Sequence, residues 1–152
     1  MTRARAIAGL DDAVDEFVRA FQSAPPSDPV YPGWRSHEVL AHLVFWHETY
    51  AGILQAVRAG REPVLMEGVF RDFNRQAAER LRSVPGRVLI ERLQHANRLV
   101  GEGLRSFPAH ARIRIKEGSK PRGPVEFATA IEGHFRGHLA DLRHVTRTRK
   151  AS

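Results

Sequence analysis

Apolar residues recur at helical spacing along most of the chain, broken by a few stretches rich in proline and glycine. The first periodic stretch predicts a helix from about Arg5 to Gln22, with Ile7, Leu10, Val14, Phe17 and Phe21 on one stripe. Four prolines between Ser23 and Gly33 then exclude regular structure. A second helix starts with Ser36 as N-cap and Glu38 in its first turn, and carries Val39, Leu43, Trp46, Tyr50, Ile53 and Val57. Gly60 suits its C-terminal cap. A shorter helix over Val69 to Arg82 points Phe70, Phe73, Ala77 and Leu81 inward, and Pro85 and Gly86 interrupt the pattern after it. The next long helix runs from about Arg87 to Ser106, with Leu89, Leu93, Ala96, Val100 and Leu104 inward. Phe107 to Gly123 reads as loop, within which Arg112 to Lys116 alternates and suits a short extended piece. The last helix opens at Pro124 and puts Phe127, Ile131, His134, His138, Asp141 and Val145 on one stripe, and the basic tail beyond is expected to fray. Four long helices, one short one and no convincing sheet predict an all-α helical bundle.

The length of 152 residues suits one domain spanning 1–152 with a substantial core. No apolar run is long enough to span a membrane. Acidic residues follow the N-terminus before any apolar stretch of signal-peptide length, so a cytoplasmic location is expected. The absence of cysteine excludes disulfides, thiolate metal ligands and cysteine nucleophiles. Any metal must therefore be held by His, Asp or Glu, and there are eight histidines. The formal charge of +7 favours anionic partners, and arginines concentrate at Arg112 to Arg122 and in the tail from Arg143 to Lys150. A solvated surface accounts for most of that charge, and specific nucleic-acid binding is not the leading expectation.

His134 and His138 stand one helical turn apart on one face, where two ring nitrogens can meet one ion at about 2.0–2.1 Å each. Both fall on the expected apolar stripe, where an imidazole needs a partner. A shared metal satisfies both; two core histidines bonded to each other, to Asp141 or to water are the other reading. A bundle site draws ligands from a second helix, and His42, bordering the stripe of helix two, is the candidate. The alternative for His42 is a boundary histidine at the edge of the core. His37 and His47 lie five residues to either side of it and should face elsewhere. His95, His110 and His144 read as structural or surface residues. Gly133 and Gly137 suggest close approach by a neighbouring helix or a bound molecule, with tight helix packing the simpler cause.

The segment Gly33 to Tyr50, GWRSHEVLAHLVFWHETY, resembles the second-helix signature of the DinB-like superfamily: Trp34, Ser36, the step Ala41-His42-Leu43, and Trp46. His134 and His138, in HFRGH, match that superfamily's histidine pair on the last bundle helix. Arg71 to Leu104 is similar to the relatives associated with colibactin self-protection and mycothiol-dependent maleylpyruvate isomerases. The resemblance implies a DinB-like four-helix bundle of up-up-down-down order with one extra short helix, often dimeric. It implies a divalent metal held by His42, His134 and His138 facing a cleft. Activities among such proteins include thiol transfer, isomerisation and hydrolysis.

Three neutral imidazoles leave a divalent ion with open positions, and zinc, nickel or iron all suit them. Glu38, four residues before His42, and Asp141, three after His138, are candidates to orient a ligand or shuttle a proton, or are plain surface or first-turn carboxylates. Trp46, Tyr50 and Phe127 suit a pocket wall or the core. The leading function is a metal-dependent hydrolase or thiol transferase acting on a small molecule, with a thiol or an electrophile as the expected substrate. A non-enzymatic sequestering or DNA-associated protein, and a purely structural bundle or homodimer, are the alternatives.

Overall fold

The computed structural model describes residues 1–24 and 26–151, with side chains described as far as Thr148. Helix α1 spans Arg3–Ser23; its N-cap Thr2 accepts a hydrogen bond from the Arg5 N–H at 3.2 Å. All five stripe residues expected in it are buried. Helix α2 spans Ser36–Arg58, α3 Phe70–Arg80, α4 Gly86–Ser106 and α5 Pro124–Ala151. The all-α expectation of four long helices and one short helix is met. The tail expected to fray continues α5 instead, and Thr146 and Thr148 bond back to the carbonyls of Leu142 and His144.

The structure departs from expectation at two points ahead of α2. The proline-rich stretch is not devoid of regular structure, because β1 (Pro29–Tyr31) and β2 (Trp34–Arg35) form a small antiparallel hairpin. Proline is tolerated at the first residue of an edge strand. The Pro32-Gly33 turn, with Gly33 at φ +79°, has the proline-then-left-handed-glycine pattern of a type II turn. Arg35, rather than Ser36, is the N-cap residue of α2, and Ser36 is its first, buried residue. The other end follows the expected chemistry. Gly60, at φ +73°, donates to Val57 O while Arg61 donates to Ala56 O, a Schellman closure of α2.

Helices α1 and α2, though consecutive in the chain, are not each other's main neighbours. Helix α1 packs mainly on α5, and α2 mainly on α4. Lighter contacts of α1 with α4 and of α2 with α5 close the bundle. The core runs through the middle, around Phe17, Leu40, Leu43, Leu54, Leu89, Leu93, Phe127 and Phe135. Helix α2 is buried on nearly every side, because α4, α3, the hairpin and α5 surround it. Helices α2 and α4 approach closely at Gly103 of α4, where a Cβ would stand 2.6 Å from that of Leu54 on α2. Gly133 and Gly137 face open space, so no neighbouring helix packs tightly against them.

Candidate metal centre

His42 reaches the site because α2 is buried on nearly every side: a position bordering its stripe still points into protein, and His42 is 5% exposed. The pair on α5 sits differently from expectation. The buried stripe of that helix runs through Phe127, Ile131, Phe135, Leu139 and Leu142, while His134 and His138 lie half-buried on its margin. Asp141 is exposed and Val145 half-buried. Positions 135, 139 and 142 supply a complete apolar stripe of their own, so the histidines are displaced toward the seam between α5 and α2 rather than into the core.

The three rings converge there. His134 Nε2 lies 3.0 Å from His42 Nε2 and 3.0 Å from His138 Nε2. One ligand atom from each residue falls within 4.8 Å of the other two. Hydrogen bonding alone cannot satisfy this arrangement. A neutral ring nitrogen either donates one hydrogen or accepts on one lone pair, yet His134 Nε2 faces two other ring nitrogens. A cation shared by three lone pairs satisfies all of them, so the donor set fits a divalent ion. The electrostatics agree. Burial, reinforced by the other two rings, lowers the His42 pKa from 6.5 to about 3, with a small opposing effect from Asn74. Burial and then His134 lower His138 to about 4, against a small opposing effect of Asp141, and burial lowers His134. All three are therefore neutral, with lone pairs available, near pH 7.

The hairpin contributes a residue that the sequence did not mark. Tyr31 Oη lies 3.0 Å from His138 Nδ1 and donates a hydrogen bond to the Asp141 carboxylate. The single phenolic hydrogen goes to Asp141, so Oη accepts from an Nδ1–H of His138, which leaves the Nε2 lone pair toward the other rings. Burial, then the bond to Asp141, raises the Tyr31 pKa and keeps the phenol protonated. Asp141 thus acts on His138 through Tyr31. Trp34, from the same hairpin, sets its ring edge-on to His42 at 5.4 Å between centroids. Glu38 stands elsewhere: its carboxylate accepts the Arg35 N–H at 3.2 Å at the start of α2 and lies outside the histidine group.

Beside His42 and His134 a cleft of about 290 Å³ opens. Trp46, Phe70, Phe127 and Ile131 form apolar walls, and Tyr50, Asn74 and Arg122 supply polar groups. Trp46, Tyr50 and Phe127 line the cleft and are also buried in the core, so both readings of them hold. Phe70, expected inward, is 45% exposed at the rim and lies 5.3 Å from the Trp46 ring. Asn74 is oriented by Trp46, whose Nε1 donates to its Oδ1 at 2.7 Å.

The remaining histidines lie apart from this group. His37 Nε2 meets Val84 O at 2.8 Å. His47 is fully buried, with Nε2 2.9 Å from Asn97 Oδ1, and Asn97 in turn donates to Asp11 at 2.8 Å. His95, His110 and His144 are exposed.

The family model for the mycothiol maleylpyruvate isomerase N-terminal domain matches residues 7–143. A crystal structure of a mycothiol-dependent maleylpyruvate isomerase superposes with a TM-score of 0.75 at 9% identity, covering 93% of this chain and 61% of that one. A mutant of such an isomerase gives 0.74 at 9% identity with the same coverage. The chain thus spans less than two thirds of the length of those structures, and at this identity the likeness is one of fold. No curated protein matches the sequence. The family match extends over nearly the whole bundle, from α1 to the histidine pair on α5, and the chain belongs to the mycothiol maleylpyruvate isomerase N-terminal domain family.

Proposed function

We propose that this protein is a metal-dependent enzyme that binds one divalent ion through His42, His134 and His138 and transforms a small molecule held in the adjoining cleft. The observation that carries the reading is the convergence of three ring nitrogens beside a 290 Å³ cleft. A divalent ion held by these three residues would supply Lewis acidity, favouring the deprotonated form of a thiol or water substrate. Zinc, nickel and iron all suit an imidazole set. Transfer involving a low-molecular-weight thiol is the favoured reaction class, because the similar solved structures are of mycothiol-dependent enzymes. Hydrolysis is the other reaction open to such a site.

The chain's own residues divide the remaining work. Tyr31 and Asp141 hold the tautomer of His138. Trp46, Phe70 and Phe127 exclude water from one side of the cleft. Asn74, fixed by Trp46, offers a carboxamide to a bound molecule. Elemental analysis of purified and reloaded protein should give about one equivalent of divalent metal per chain. His134→Ala should lose it, since that ring meets both of the others. A screen pairing thiols with electrophiles then separates transfer from hydrolysis. Failure to bind stoichiometric metal under every loading condition overturns the proposal.

A further inference from the structure

The cleft contains a permanent charge that the metal centre does not explain. Arg122 is fixed where the chain enters α5: its backbone forms a two-bond bridge with Ile113, Arg122 N–H to Ile113 O at 2.9 Å and Ile113 N–H to Arg122 O at 2.7 Å. Its half-buried side chain lines the same cleft as His42 and His134. The other half-buried arginines both find acceptors: Arg92 meets Glu48 at 2.6 Å, and Arg3 donates to the Leu104 and Arg105 carbonyls at 3.1 Å. Arg122 has no ion pair or side-chain hydrogen bond among the described residues.

The cleft lining includes no Asp or Glu. The Tyr50 hydroxyl, close enough to Arg122 to feel its charge, has no hydrogen-bond partner among the described residues either. A guanidinium drawn partly out of water with no counter-charge is unfavourable, and a carboxylate is the partner its planar fork matches in two parallel bonds. The walls around it are aromatic and aliphatic.

We propose that Arg122 is the anion-recognising residue of the cleft, and that the ligand is a small carboxylate with an apolar or aromatic body. The carboxylate pairs with Arg122 while the body lies along Trp46, Phe70 and Phe127. The other end of the molecule is thereby directed toward His42 and His134. This assignment rests on the metal-site reading for what happens at that far end, but recognition by Arg122 does not need the ion.

The test uses benzoate, phenylacetate and cinnamate, each against its neutral amide, with binding measured calorimetrically to metal-free and zinc-loaded protein. At least one carboxylate should bind metal-free wild type at least tenfold more tightly than its amide. Arg122→Gln should remove that preference, and Arg122→Lys should restore part of it, since charge remains while the fork is lost. Unchanged melting temperature and zinc content in both variants would show that fold and metal site persist. The proposal is overturned if no carboxylate outperforms its amide, or if Arg122→Gln binds them as wild type does. It is also overturned if the preference appears only with zinc and survives in Arg122→Gln, because the ion would then be the anion's partner. Loss of zinc binding with a persistent Arg122 effect would remove the metal reading and leave this one standing.

Discussion

Tyr31 shows how one side chain can control a ligand it does not replace. Its hydroxyl can fix the His138 tautomer only because Asp141 takes its hydrogen. Removing such an outer partner typically weakens metal binding about 10–100-fold. Tyr31→Phe should therefore weaken zinc affinity by about that factor, read by competition with a chelating dye, while the helical circular dichroism stays unchanged. Asp141→Asn should weaken it less, since a carboxamide oxygen still accepts the phenolic hydrogen. Wild-type affinity in Tyr31→Phe would show that the hairpin does not support the ligand set. His47 offers a second test, through acid stability. Burial lowers its pKa from 6.5 to about 4, the Asn97 bond opposing in part and the charge of His134 adding to the fall. Between those values the unfolded chain binds the proton and the folded chain does not. The contribution is thus complete above about pH 6.5 and is lost as pH falls to about 4. At 1.36 kcal/mol per unit this amounts to roughly 3 kcal/mol. Urea unfolding of metal-free protein at pH 7 and pH 4 should show a loss smaller by about that amount in His47→Gln. The three metal-ligand candidates were legible because helical spacing and a motif both marked them. Tyr31, Asn74 and Arg122 were not, since each reaches the site through tertiary placement from a hairpin, a short helix or a loop that carries no periodic signal.

Helix boundaries and inward faces were legible wherever one stripe meets one neighbour. The stripes of α1 and α4 came through entire, and Gly60 closes α2 by the chemistry its position implied. Helix α2 resisted, because a helix covered on nearly all sides has no single stripe: His47, assigned away from the site, is as buried as the core leucines. On α5 the two histidines mimicked stripe positions and hid the true stripe one residue along. Glycine usage misled for a related reason, since sequence cannot tell which helix face meets a partner. The distinction is measurable. Gly103→Ala would force a methyl to within 2.6 Å of Leu54 Cβ and push α4 off α2, at a cost of about 1–3 kcal/mol. Gly133→Ala and Gly137→Ala meet nothing within 4 Å and should each stabilise by up to about 1 kcal/mol through helix propensity. Thermal melts of the three variants should move in these opposite directions. A destabilised Gly137→Ala would place an unrecognised contact on the open face of α5.

At the scale of the whole molecule, the histidines sit where the bundle is least tied together. Helix α1 packs with α5 and α2 with α4, so the structure is two helix pairs with lighter contact between α2 and α5. His42 belongs to one pair, and His134 and His138 belong to the other. An ion bound by all three joins the pairs across that seam, and it can do so only in the folded state, because the unfolded chain separates residues 42 and 134. Binding to the folded form alone stabilises it by RT ln(1 + [metal]/Kd), about 2.7 kcal/mol when free metal is 100 times Kd. Stripping the ion with a chelator should therefore lower the melting temperature, and restoring zinc should raise it in a concentration-dependent way. Amide hydrogens of α2 and α5 facing the seam should exchange faster without metal, while those between α1 and α5 should change less. His134→Ala should abolish the zinc-dependent rise while keeping a cooperative melt, since its half-buried ring lies on the margin of the apolar stripe. If zinc raises the melting temperature of His134→Ala as much as that of wild type, the ion is bound elsewhere and the two helix pairs are held by packing alone.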